Sequence, residues 1–115
     1  MVLRVGRVSG VDATLGALAE PTRRRVVELL LERPHRPSEL SRAVRMSPPA
    51  MSRHLRVLRR CGLIQEERSE RDARVRTYRL RPEPFRDLYS WLQTMESFWT
   101  DQLGAFSDHV EASKD

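Results

Sequence analysis

The sequence predicts a mainly α domain carrying one small β-hairpin. Two features predict it: apolar residues recur at spacings of three and four, both in short early stretches and through a long final one, and two segments rich in β-formers flank the polar turn 69–73. The chain has 115 residues, 39% hydrophobic and 32% charged, which fits a single small soluble domain. No stretch approaches the ~20 apolar residues of a membrane span. The opening residues lack an apolar signal core, and the one cysteine, Cys61, excludes an intrachain disulfide. A reducing cytoplasm is the expected setting.

Residues 1–10 show no period and read as a flexible arm ahead of one domain spanning 11–112. Asp12 is placed to cap a short helix with Val11, Leu15 and Leu18 on one side. Pro21 stands where a second helix would begin, and Pro34 ends it. Val26, Val27, Leu30 and Leu31 would form its buried stripe. A third helix fits Ser38 to Val44, with Leu40, Ala43 and Val44 inward.

A fourth helix is expected from Pro48 to Cys61. Ser47 suits its N-cap, prolines in the first turn cost little because those positions need no N–H partner, and Gly62 suits the residue after its end. At about 100° per residue, Met51, Leu55 and Leu58 share one face, and Pro49, Arg53, Arg56 and Arg60 fall opposite. Leu63–Arg68 and Arg74–Leu80 then read as two strands, a wing over about 63–80 that must lean on the helices. His35, between two prolines, reads as a loop residue, and Cys61 as a small buried one.

Charge separates the chain into parts. Residues 21–86 hold 18 basic and 8 acidic side chains, whereas residues 87–115 hold 1 basic and 6 acidic. A coding bias toward arginine would account for 20 arginines against one lysine, but not for this distribution. A basic middle and an acidic end point to a polyanion-binding surface joined to a part with another task.

Two short helices around about 38–61, the second faced with arginine and followed by a basic hairpin, form the layout of a winged helix-turn-helix. A helix fits the ~12 Å major groove of B-DNA, and the planar arginine fork matches guanine O6 and N7. Ser47, beside the N-terminal amides of the fourth helix, is placed to hold a phosphate. Arg68, Arg71, Arg74 and Arg76 on the hairpin face either flanking DNA backbone or solvent. His54 lies to the side of the apolar face, where packing or a phosphate contact competes with base reading.

These residues also carry a resemblance. Ala17-Leu-Ala-Glu-Pro-Thr-Arg-Arg-Arg-Val-Val-Glu-Leu-Leu, Ser38-Glu-Leu-Ser, the run Ser47 to Ile64, and Arg74 to Leu80 occur in order, and together they resemble the ArsR/SmtB family of bacterial repressors. The resemblance spans about residues 11–110. It implies a dimeric winged-helix regulator of order α-α-α-α-β-β-α whose DNA contacts are Ser47, Pro48, Pro49, Ser52, Arg53 and His54. Pro48 departs from the glutamine many members carry there, which shifts readout to other side chains or to DNA shape. Arg56, Arg74 and Arg76 complete the expected DNA-binding set.

The last stretch, about 82–112, reads as one long helix with Phe85, Leu88, Leu92, Met95, Trp99, Leu103, Phe106 and Val110 in a stripe. Such a helix would be roughly 45 Å long, beyond what the short helices can cover. Pairing with a second copy is the simplest cover, through Leu88, Leu92, Met95, Trp99, Leu103 and Phe106 with help from Leu15 and Leu18. The acidic polar face argues against a membrane surface, where basic faces prevail.

No metal site and no cofactor are expected. Many relatives sense metals through a cysteine pair, but the third helix has no cysteine, and the last offers only Asp108, His109 and Glu111. A site shared across two copies, with one histidine from each, is the alternative. That leaves an organic or protein effector, or none. No phosphate loop or nucleophile–histidine pairing suggests an enzyme. The expectation is therefore a homodimeric, sequence-specific transcriptional repressor on double-stranded DNA. The alternatives are a non-regulatory architectural DNA- or RNA-binding protein and a protein-interaction module built on the acidic helix.

Overall fold

The structure is a computed structural model that describes the backbone of residues 10–114 and the side chains of residues 10–104. Its elements are α1 (Gly10–Leu18), α2 (Pro21–Glu32), α3 (Pro37–Val44), α4 (Pro48–Arg60), β1 (Ile64–Arg68), β2 (Arg76–Leu80) and α5 (Pro82–Lys114). This is the winged helix-turn-helix order. Residues 1–9 of the expected arm lie outside the described residues, and Gly10 already opens α1.

Local chemistry sets the ends of these helices. Glu20 caps α2 by accepting the Arg23 N–H (3.0 Å), and Pro21 takes the first helical position. At its other end, α1 is closed by α2: Arg23 Nε donates to the Ala17 carbonyl (2.8 Å) and Arg24 Nη1 to the Leu18 carbonyl (2.9 Å). Cations there meet carbonyls that have no intrahelical donor. These two arginines, part of the basic middle of the sequence, therefore serve the fold. Ser47 Oγ accepts the Ala50 N–H (3.3 Å) as the cap of α4. Gly62, at φ +79°, ends that helix, with its own N–H on Arg59 O (2.9 Å) and Leu63 N–H on Leu58 O (3.0 Å).

The core gathers one stripe from each short helix and the base of the hairpin, with Val26, Leu40, Leu58 and Leu63 at 0% exposure. Several expected positions are corrected. Asp12 sits inside the first turn of α1 rather than at its cap. The buried residues of α1 are Thr14 and Ala17, while Leu15 is exposed and Val11 and Leu18 are half-buried. Thr14 tolerates burial because its hydroxyl donates to Gly10 O (2.7 Å). In α2, Leu29 is buried and Leu31 is 70% exposed. Leu31 lies about 120° from the centre of the stripe formed by its neighbours. In α3, which starts at Pro37, Ser41 is buried and Ala43 exposed, for the same angular reason.

β1 and β2 pair antiparallel, in a register running from Ile64↔Leu80 to Arg68↔Arg76. β2 begins at Arg76 rather than Arg74. Asp72 Oδ1 accepts the Arg74 N–H (3.0 Å) and Asp72 O the Val75 N–H (3.0 Å), which keeps both residues in the turn. His35 is no ordinary loop residue. It is 5% exposed and pairs with the far edge of β2, exchanging His35 N–H to Tyr78 O (3.1 Å) and Tyr78 N–H to His35 O (2.8 Å). That bridge ties the α2–α3 connection to the wing and gives the small hairpin a third backbone partner.

Candidate nucleic-acid interface

α3 and α4 meet through a tight turn at Arg45, Met46 and Ser47. Arg45 is left-handed (φ 59°, ψ 53°), which lets its N–H and that of Met46 close on carbonyls of α3, the latter on Ser41 O (2.9 Å). A non-glycine residue in that region costs on the order of 1 kcal/mol. The turn fixes α4 so that Met51, Leu55 and Leu58 are buried while Pro48, Pro49, Ser52, Arg53, Arg56, Arg59 and Arg60 face outward. The guanidinium groups of Arg53, Arg56 and Arg60 have no partner among the described residues. Three open cations on one helix face are available to an anionic partner.

His54 is placed differently from the rest of the expected set. Its side chain is 21% exposed and points at Glu20, with Nδ1 3.6 Å from Oε2. Burial works against ionisation of Glu20, yet the N–H groups of Thr22 and Arg23 and the His54 ring hold its carboxyl below the ordinary carboxylate value. His54 thus braces α4 against the start of α2.

Glu66 was not singled out from sequence, and it organises the wing. Its half-buried carboxylate meets Arg68 Nη2 (3.4 Å), Arg59 Nη1 (3.6 Å) and Arg76 Nη1 (4.0 Å). One carboxylate thereby links the last turn of α4 to both strands. The strand register places Arg68 two residues along from Glu66 and Arg76 diagonally across, so all three share a sheet face. That signal is invisible until the register is known. Between α3, α4 and β2 lies a groove of about 490 Å³ whose polar lining includes Ser38, Ser41, Ser52, Arg56, Arg59 and Arg76.

Arg74 stands at the wing tip, with its side chain 89% exposed and its guanidinium on both Asp72 oxygens (3.1 and 3.3 Å). The hydrogen bonds from Arg74 hold the Asp72 carboxyl below its usual range. Arg68 Nη1 donates to Ala73 O (2.7 Å), stiffening the same tip. Cys61 is half-buried against the core.

The second face is on α5. Leu92 (49%), Phe98 (52%), Trp99 (58%) and Leu103 (62%) are exposed, as is Leu15 of α1 (42%). Leu88 and Met95 are half-buried, and Leu18 packs against the chain's own core. Phe98 and Trp99 meet edge to face at 5.4 Å. Phe106, Asp108, His109 and Glu111 lie outside the described side chains. Among the described residues, no group of three or more His, Cys, Asp or Glu is placed to hold a metal, and no helix is long and apolar enough to cross a membrane.

A helix-turn-helix with an open basic face and a braced two-stranded wing defines a winged-helix DNA-binding protein. The description "bacterial regulatory protein, arsR family" matches residues 20–66. The HTH-type transcriptional regulator Rv2034 of Mycobacterium tuberculosis is 33% identical over 105 residues, covering 90% of this chain and 92% of the relative. The chain belongs to the ArsR family of bacterial transcriptional regulators. Among solved structures, an ArsR family transcriptional regulator matches with a TM-score of 0.69 at 32% identity, over 80% of this chain and 98% of that one. An ArsR-like transcriptional regulator from Rhodococcus sp. RHA1 shares the fold with a TM-score of 0.71 at 23% identity, over 96% and 98% of the two chains. The protein is a DNA-binding regulator of transcription, in a family of regulators rather than enzymes.

Proposed function

We propose that the protein is a homodimeric repressor that binds a two-fold symmetric operator through α4 and the wing. The observation that carries this reading is the set of guanidinium groups on α4 with no partner among the described residues, on a helix that Glu66 ties to the hairpin through Arg59 and Arg76. Arg53 and Ser52 are assigned to base edges, with arginine suited to the paired acceptors of guanine. Ser47 takes a phosphate through its hydroxyl, and Pro48 and Pro49, which carry no N–H, give an apolar approach to the groove wall. Arg56 and Arg76 line the groove beside α4 and take the neighbouring backbone. Arg74 reaches flanking DNA from the tip. His54 holds the helix in place rather than reading a base.

The homodimer rests on the exposed apolar stripe of α5 together with Leu15 of α1. At 33 residues, α5 runs about 50 Å, far more than one small body can cover. Two α4 helices related by a two-fold axis would enter major grooves about 10 base pairs apart. Such a regulator works where the chromosome is, in the cytoplasm.

Selection of bound duplexes from random DNA, followed by footprinting, tests the reading. The expected product is a palindrome with half-sites one helical turn apart and a footprint over a promoter. A single unpaired half-site overturns the dimer. Binding to any duplex that weakens with salt and leaves no footprint points to an architectural protein instead.

A further inference from the structure

A second concave surface lies away from the DNA-facing side, where the end of α2, the end of β2 and the start of α5 converge. The groove is about 740 Å³, within the range of small-molecule sites. Its apolar lining includes Leu31, Pro34, Leu80, Phe85 and Tyr89. Leu31 is 70% and Tyr89 63% exposed, so neither has found cover within the chain. Three arginines, Arg33, Arg79 and Arg86, share this lining with no carboxylate among them.

We propose that this groove binds a small organic anion, a carboxylate carried on an apolar alkyl or aryl body. Charge complementarity selects that class. Arg33 is paired with Glu39 and Arg79 with Glu67, whereas the Arg86 guanidinium has no partner among the described residues. One open cation above an apolar trough matches one anionic head on an apolar tail. A second copy of the chain is the poorer occupant. At about 100° per residue, Arg86 falls about 100–140° from Leu92, Trp99 and Leu103 on α5. A copy packed on that stripe would reach Phe85 and Tyr89 but leave the charge uncovered. The groove also joins the wing to α5. Leu80 ends β2, Arg79 pins β2 to β1 through Glu67, and Phe85 lies in the first turn of the long helix. An occupant there sets the angle between the DNA-binding wing and the helix assigned to dimerisation, and so couples the ligand to DNA affinity. Only this coupling rests on the regulator reading above.

The test titrates the full chain, without DNA, with 4-phenylbutyrate, decanoate and the neutral analogue 4-phenylbutanol, read by backbone amide NMR shifts. The expected result is saturable shifts at residues 30–34 and 79–89, with the alcohol binding more weakly than the acid. Arg86→Gln should weaken 4-phenylbutyrate about tenfold and leave 4-phenylbutanol unchanged. Leu31→Glu places a like charge in the trough at an exposed position, so it should abolish binding while the chain stays folded. No saturable shift at millimolar ligand, equal affinity for acid and alcohol, or unaltered binding by Leu31→Glu each overturns the proposal. A weakened dimer in Leu31→Glu would assign the groove to a second copy and overturns it as well. Loss of DNA binding alone would remove the regulatory role and leave the titration standing.

Discussion

Glu20 and His54 connect the two helices that orient the proposed reading head: Glu20 Oε2 caps α2 through Arg23 N–H (3.0 Å) and lies 3.6 Å from His54 Nδ1 on α4. The Glu20 carboxyl is held below its ordinary value of 4.5, so ionised Glu20 favours the folded state. That contribution is fully present above about pH 4.5 and is lost as pH falls through the lowered value. Glu20→Gln keeps an acceptor for the Arg23 N–H and removes only the charge, so it should lower stability at neutral pH by about 0.3–1 kcal/mol, the worth of an anion at a helix N-terminus. The gap to the parent should shrink between pH 5 and pH 3 in thermal melts (roughly the window set by a depressed carboxylate). A gap that stays constant across that range would mean the carboxylate charge plays no part.

Arg53 is exposed at the centre of α4 and has no partner among the described residues. If it reads a base edge, Arg53→Ala should cost about 1–3 kcal/mol on the selected operator and relax preference at one base pair per half-site. Competition binding with single-base operator variants measures both effects. An equal loss on operator and random DNA would reassign Arg53 to a phosphate.

Much of the fold was legible because helix caps and breakers are local. Pro21, Pro34, Ser47 and Gly62 each mark a boundary by their own backbone chemistry, and each stands where expected. Burial was harder to read for Leu31 and Ala43, since an apolar residue at a stripe's edge is decided by what packs beside it. The face of α4 needed only its period. Glu66, the Arg23 and Arg24 links to α1 and the His35–Tyr78 bridge depend on partners distant in sequence or across a junction, so residue type alone could not announce them.

Glu66 holds three arginines, from α4, β1 and β2, on one carboxylate. Glu66→Gln removes the charge and keeps the shape. The released arginines should strengthen binding to random duplex and steepen its salt dependence by about one phosphate equivalent, because one more cation is free to displace counterions. The same release lets the wing move relative to α4, so the operator-to-random ratio should fall. Salt titrations on both DNAs check the pair of effects. A rise in operator affinity with no loss of ratio would show that the wing needs no such brace.

The dimer prediction is the most direct. Trp99 and Leu103 lie one turn apart on α5, 58% and 62% exposed. A glutamate at either position leaves the chain's own core untouched, since neither residue belongs to it. Introducing one into a packed apolar seam buries an unpaired charge on each copy, which costs several kcal/mol. Trp99→Glu and Leu103→Glu should therefore sediment as monomers at concentrations where the parent is dimeric, with an unchanged circular dichroism spectrum in the wing and short-helix region of the melt. Operator affinity should fall steeply, because the second half-site no longer arrives tethered to the first. Affinity for an isolated half-site should hold. A variant that stays dimeric would move the contact away from this stripe.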